Sequence, residues 1–183
     1  MDATPKQVSR LPALPEPPTD PLAAEMFRKI EAQGRPILNV HRMSLHSPKF
    51  FHAQATYAGA LRHDITLPRA LCEMVIVRTA QLQNCPYVHS VHVRMAREAG
   101  VSDEQLAALD EWEKFDLFDK REKAALCHAE LMGTDGKSID DAAFAAVSAV
   151  FTPQEVMELS TLCGYYIGNC RCLNALGLVP ESG

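Results

Sequence analysis

The sequence predicts an all-α fold, and three observations carry that prediction. Apolar residues recur at helical spacing, with no persistent alternation of period two. Helix-start signals recur along the chain: Asp20-Pro21, Ser47-Pro48, Ser102-Asp103-Glu104-Gln105 and Thr152-Pro153-Gln154-Glu155. Many of the expected helix faces use alanine, which lets helices pack closely.

Taken in order, residues 1–19 hold five prolines (Pro5, Pro12, Pro15, Pro17 and Pro18) and read as an extended arm. A single helical domain is expected over residues 20–180. Asp20 caps a first helix with the stripe Leu22, Met26, Phe27 and Ile30, stopped by Gly34. Ser47-Pro48 opens a second, which runs to about His63. A third starts near Pro68 and carries Leu71, Glu73, Val75, Arg78 and Leu82. The run Val75-Ile76-Val77 has strand composition, but the residues on either side keep helical spacing, so it is read as helix. Cys85-Pro86 opens the fourth helix and Gly100 closes it. On this helix Val91, Met95 and Ala99 read as the core face. Ser102 caps a fifth. After a charged stretch with Trp112, Phe115 and Phe118, a sixth runs from about Asp119 to Met132. Thr134-Asp135-Gly136 reads as a turn. A seventh helix carries Phe144, Val147 and Phe151. Thr152 launches the last one, to about Ala175, with Gly177 and Pro180 beyond it.

Bulk properties exclude several classes. The chain has 183 residues, enough for one domain with a sizeable core. A formal net charge of -5 and the absence of a basic block argue against nucleic acid and against an anionic membrane surface. No apolar run has the length of a signal peptide core or a membrane span, so a cytoplasmic location is expected. The six cysteines (Cys72, Cys85, Cys127, Cys163, Cys170 and Cys172) lie mostly in apolar helical stretches and read as free thiols. Buried cysteine is usually a small apolar residue, and most of the six are expected to be that.

Chemistry concentrates in residues 73–92. Proline at 86 suits a first helical turn, which puts Cys85 at the N-cap. At 100° per residue, Cys85, His89 and His92 fall within about 60° of one another. A thiol at a helix N-terminus feels the positive end of the helix dipole and nearby backbone N–H groups, and both favour the thiolate. Cys85 is therefore the candidate nucleophile. His92 and His89 are candidate proton carriers, and Glu73 is positioned to orient or relay to one of them if its helix packs alongside. The plainer reading is a polar patch without chemistry. A third is a metal site, since His89-x-x-His92 has usable spacing. No second ligand pair stands elsewhere, so no metal or cofactor is assigned.

These residues resemble the carboxymuconolactone decarboxylase family, which includes alkylhydroperoxidase D-like proteins. The family pattern is a glutamate, then Cys-x-x-Cys twelve residues later, then a histidine four residues on. Glu73 precedes Cys85 by 12 (85 − 73), and His92 follows position 88 by 4 (92 − 88). The stretch LCEMVIVRTAQLQNCPYVHSVHVRMAREAGVSDEQLAAL is similar to the family's core helical pair and the helix after it. GYYIGNCRCLNALGLVP is similar to the closing helix of the longer members. The departure is Val88, where the second cysteine belongs. The resemblance implies an alkylhydroperoxidase D-like helical bundle, no cofactor, and a homo-oligomer: a dimer, trimer or hexamer. It implies a small-molecule substrate, either a hydroperoxide or a carboxylated lactone.

Because valine cannot attack a peroxide or form a disulfide, a full Cys-x-x-Cys cycle is excluded. A one-cysteine cycle remains, in which Cys85 becomes a sulfenic acid resolved by an external thiol, or internally by Cys72 or Cys127. The alternatives are a cofactor-free decarboxylase using Glu73 and His92 (with His89) as acid and base, and a non-catalytic oligomer that binds a small ligand. An anionic substrate would need a cation, for which Arg62, Arg78, Arg94 and Arg171 are candidates. Tyr165, Tyr166 and Asn174 on the last helix are read as core, pocket or subunit-contact residues.

Overall fold

The computed structural model describes residues 7–134 and 139–181. Among these residues the regular structure is helical: α1 (Pro21–Ala32), α2 (Asn39–Ser44), α3 (Pro48–His63), α4 (Arg69–Leu82), α5 (Pro86–Glu98), α6 (Asp103–Ala108), a 3-10 segment (Leu109–Lys114), α7 (Lys120–Thr134), α8 (Asp141–Ser148) and α9 (Pro153–Leu176). The all-α prediction holds, and Val75-Ile76-Val77 is helix. No described helix is long and apolar enough to cross a membrane. The expected turn at Thr134-Asp135-Gly136 falls largely outside the described residues.

The chain divides into two compact units, Met1–Ala60 with Asn174–Gly183, and Leu61–Leu173. In the first, Asp20 caps α1 by accepting from the Ala23 N–H at 3.0 Å, and Ala23, Phe27 and Leu45 form a small apolar core. Residues 7–19 carry no helix, but backbone bonds tie them to the chain's end: Arg10 N–H to the Leu176 carbonyl at 2.8 Å, and Val179 N–H to the Val8 carbonyl at 3.0 Å. The short α2 is absent from the sequence reading. It has a leucine at its N-cap and no apolar stripe, so neither of the usual signals marks it. Its anchor is Asn39, whose side-chain amide donates to the Val179 carbonyl at 3.0 Å.

The second unit is built around α4. Nine of its 14 residues are buried, including Val75, Ile76 and Val77, so α4 is apolar on nearly every side, as a central helix must be. It packs most extensively on α5 and α7. Met74, Val77, Ala96, Leu109, Trp112, Phe118 and Leu126 form the shared core. The Trp112 indole N–H donates to Glu130 Oε1 at 2.8 Å, and Arg78 Nε donates to the same oxygen at 2.7 Å. Two caps read from sequence are present in this unit. Ser102 and Gln105 form a capping box, and Thr152 and Glu155 exchange bonds of 2.9 and 3.3 Å at the start of α9. Two expectations about faces need correction. The buried side of α5 is Val88, His92 and Ala96, while Val91, Met95 and Ala99 are half-buried. In α8, Val147 is buried but Phe144 is exposed.

Candidate active site on the α4–α5 pair

Two features of local sequence set the position of Cys85. Helix α4 ends at Gln83, and Asn84 takes a left-handed conformation with φ 48°. The Asn84 N–H then bonds the Gln81 carbonyl at 3.0 Å and the Cys85 N–H bonds the Ala80 carbonyl at 2.9 Å, which is the Schellman arrangement. Asparagine tolerates this backbone better than other residues with a Cβ. Pro86 then starts α5 at once, so Cys85 serves both as the last capping residue of α4 and as the N-cap of α5. Its backbone is held from both sides.

Cys85 is 2% exposed. Helix α9 meets this junction where Arg171 donates to Gln83 at 2.9 Å, and the neighbouring Cys170 thiol favours the Cys85 thiolate. The N–H groups of Val88 and Tyr87 also point at the sulfur and act on it as dipoles, without closing a conventional cap bond. The Cys170 thiol is the largest influence. Burial opposes it, the two amides add to it, and the net result lowers the Cys85 thiol to about 7. Cys170 moves the other way, upward, because it faces the developing Cys85 thiolate and is itself buried.

Glu73 has no exposed surface, and a lone carboxylate there would cost several kcal/mol. It has two partners. Oε2 lies 2.6 Å from His92 Nδ1, and Arg69 Nη2 lies 2.6 Å from Oε1. The arginine contact is an ion pair off the line of a hydrogen bond, so Oε1 accepts no conventional bond. A carboxylate acceptor fixes the imidazole as the Nδ1–H tautomer and leaves Nε2 as the basic nitrogen. The ring of Tyr166 meets the imidazole edge-on, 5.0 Å between centroids and 83° between planes, and limits its tilt. Burial pushes the Tyr166 phenol upward, so it stays neutral.

The candidates named from sequence thus divide. Glu73 and His92 are in direct contact. Cys85 sits on the same buried side of α5 as His92, but no hydrogen bond joins it to His92 or Glu73. His89 is half-buried and makes no side-chain hydrogen bond or ion pair among the described residues. Arg78 is occupied by Glu130, 2.6 Å away, and Arg171 donates to Gln83 at 2.9 Å. The cation beside the candidate site is Arg69, which the sequence reading passed over. Its position four residues before Glu73 on one helix was the available signal. The internal resolvers named from sequence are not at Cys85 either. Cys72 donates its S–H to the Leu67 carbonyl at 3.8 Å and burial pushes its thiol up to about 12, while Cys127 is exposed. The cysteine at Cys85 is Cys170, on the buried α9 face with Leu159, Leu162, Cys163, Tyr166 and Leu173.

The sequence profile of the carboxymuconolactone decarboxylase family matches residues 48–130. The uncharacterized protein YnjA of Escherichia coli (strain K12) is 30% identical over 138 residues, covering 74% of this chain and 75% of that protein. An uncharacterized peroxidase-related protein from Silicibacter sp. TM1040 superposes with a TM-score of 0.83 at 18% identity, covering 100% of this chain and 96% of that one. An uncharacterized peroxidase-related protein from Ralstonia eutropha JMP134, described as an alkylhydroperoxidase AhpD core, superposes with a TM-score of 0.77 at 23% identity, covering 97% and 94%. The last two likenesses speak for the fold. The matched profile spans Glu73, Cys85 and His92, and the chain belongs to the carboxymuconolactone decarboxylase family, with the alkylhydroperoxidase D-like helical fold and a valine at position 88.

Proposed function

We propose that this protein is a thiol-dependent, peroxidase-related oxidoreductase in which Cys85 reduces a small hydroperoxide. The observation that carries the reading is the environment of the Cys85 sulfur. A thiol donor and two backbone amides favour the anion against the cost of burial, so the reactive form is populated at neutral pH. The thiolate attacks the distal peroxide oxygen and the O–O bond breaks. The sulfur becomes a sulfenic acid, and the alkoxide leaves as an alcohol after taking one proton. His92 is the proton carrier, oriented by Glu73 through the 2.6 Å contact, with Arg69 balancing the carboxylate. His89 is a secondary carrier at the outer edge of the same helix.

The test is turnover of hydrogen peroxide and cumene hydroperoxide with dithiothreitol as reductant. Wild type should consume peroxide, Cys85→Ser should not, and His92→Gln should lose about 10²–10⁴-fold. Equal consumption by wild type and Cys85→Ser would dispose of the thiol reading.

A second reading is favoured by the Glu73–His92–Arg69 cluster, which contains an acid–base pair and a cation without needing sulfur. It is cofactor-free decarboxylation of a small carboxylated lactone. There Cys85→Ser would keep activity and His92→Gln would lose it, the reverse weighting at position 85.

A further inference from the structure

Loss of the second cysteine at position 88 leaves the chemistry above with a difficulty. A sulfenic acid at Cys85 must be resolved by another thiol. Cys85 is 2% exposed and Cys170 has no exposed surface, so a bulky external thiol has little access to the sulfur. External reagents reach the sulfur through local opening, whereas a thiol already in the site needs none.

We infer that Cys170 is the resolving thiol, and that the working oxidised form is a disulfide between Cys85 at the start of α5 and Cys170 on α9. The inference rests on the thiol reading of Cys85. Its own warrant is placement: Arg171, next to Cys170, donates to Gln83 at 2.9 Å, two residues before Cys85, Tyr166 one turn earlier on α9 meets His92 with ring centroids 5.0 Å apart, and both thiols are buried where these helices meet. The other cysteines are placed elsewhere. Cys72 donates its S–H to the Leu67 carbonyl at 3.8 Å, Cys163 lies about two turns before Cys170 on α9, and Cys127 and Cys172 are exposed. Cys172 is two positions beyond Cys170 on a regular helix, so its side chain points away.

The steps balance. In the first, the Cys85 thiolate, the hydroperoxide and one proton give Cys85 sulfenic acid and an alcohol. In the second, the Cys170 sulfur attacks the Cys85 sulfur, the S–O bond breaks, and the hydroxide leaves with the Cys170 proton as water. Two thiols have lost two electrons and one peroxide has gained them. A dithiol reductant then returns both thiols by exchange, becoming a disulfide itself. Val88 fits this assignment. It contributes its backbone N–H to the sulfur and an apolar wall, while the sulfur it replaces is supplied from a different helix.

The experiment is non-reducing peptide mapping by mass spectrometry of the full chain, after stoichiometric hydrogen peroxide and with dimedone as a sulfenic acid trap. The expected product is one cross-linked peptide pair containing Cys85 and Cys170, lighter by two hydrogens and fully reversed by dithiothreitol. Cys172→Ser should leave it unchanged. Cys170→Ser should abolish it and yield the dimedone adduct and sulfinic acid at Cys85. Wild-type Cys85 carrying dimedone or sulfinic acid while Cys170 stays free would overturn the inference and leave the peroxidase reading standing. An unmodified Cys85 would overturn both. Wild-type mapping decides the matter even if Cys170→Ser fails to fold.

Discussion

Glu73 and His92 are 19 residues apart in sequence and 2.6 Å apart in space, carboxylate Oε2 to imidazole Nδ1. The contact spans two helices, so it reports on packing of α4 against α5 as well as on chemistry. It satisfies one oxygen of a carboxylate with no access to water. Arg69, one turn earlier and 32% exposed at its side chain, balances the charge from the other side.

This relationship separates two variants. Glu73→Gln keeps the shape and one acceptor for Nδ1–H, so the protein should fold with stability close to wild type. Without a carboxylate on Nδ1 to orient the imidazole and fix its tautomer, turnover should drop by about 10²-fold or more. Glu73→Ala leaves His92 without its partner and opens a cavity. It should cost about 3 kcal/mol in urea unfolding, the low end for a broken buried pair because Arg69 can turn to water. Full activity in Glu73→Gln would remove the glutamate from the mechanism.

The lowered Cys85 thiol makes its reactivity depend on pH in a defined way. Site-resolved iodoacetamide alkylation should rise with a midpoint at about 7. Cys170→Ala removes the largest influence, the neighbouring thiol, so the midpoint should move upward toward the free-cysteine value of about 8.5. The same shift bears on stability. A thiol lowered by folding contributes stability that is present above the unfolded value and is lost as pH falls through about 7. A wild-type midpoint near about 8.5 would contradict the arrangement at the N-cap.

Asn84 holds the junction that aims Cys85. Its φ of 48° lies in the left-handed region, where a β-branched side chain is strained. Asn84→Val should cost about 1–2 kcal/mol, measured by urea unfolding, and should slow Cys85 alkylation at pH 7 as the N-cap geometry relaxes. Asn84→Gly should stay within about 0.5 kcal/mol of wild type and keep the alkylation rate. If valine is tolerated without either effect, the Schellman closure is not what positions the sulfur.

Local signals made most of the helices legible. Asp20, Ser102 and Thr152 announce their helices because a cap is a bond between near neighbours. Pro86 placed Cys85 at an N-cap because proline forbids the alternatives. Helix α2 escaped because its stabilising bonds come from Val179 and Glu181, some 140 positions away. The buried face of α5 was misjudged for a related reason. Val91, Met95 and Ala99 are as apolar as any core stripe, and periodicity cannot say which stripe faces α4.

Sequence alone singled out residues 73, 85 and 92 by their spacing along helices of known geometry, and pointed to the family by the resemblance those residues carry. What tertiary structure decided was which groups meet them. Arg69 faces Glu73, Tyr166 bounds His92, and Cys170 reaches Cys85 from a helix that begins almost 70 residues later (153 − 85). Helical spacing is set by hydrogen bonds within four residues and can be read from a string. The meeting of α9 with α5 is set by burial of apolar faces, which is non-directional and names no partner until the chain is folded.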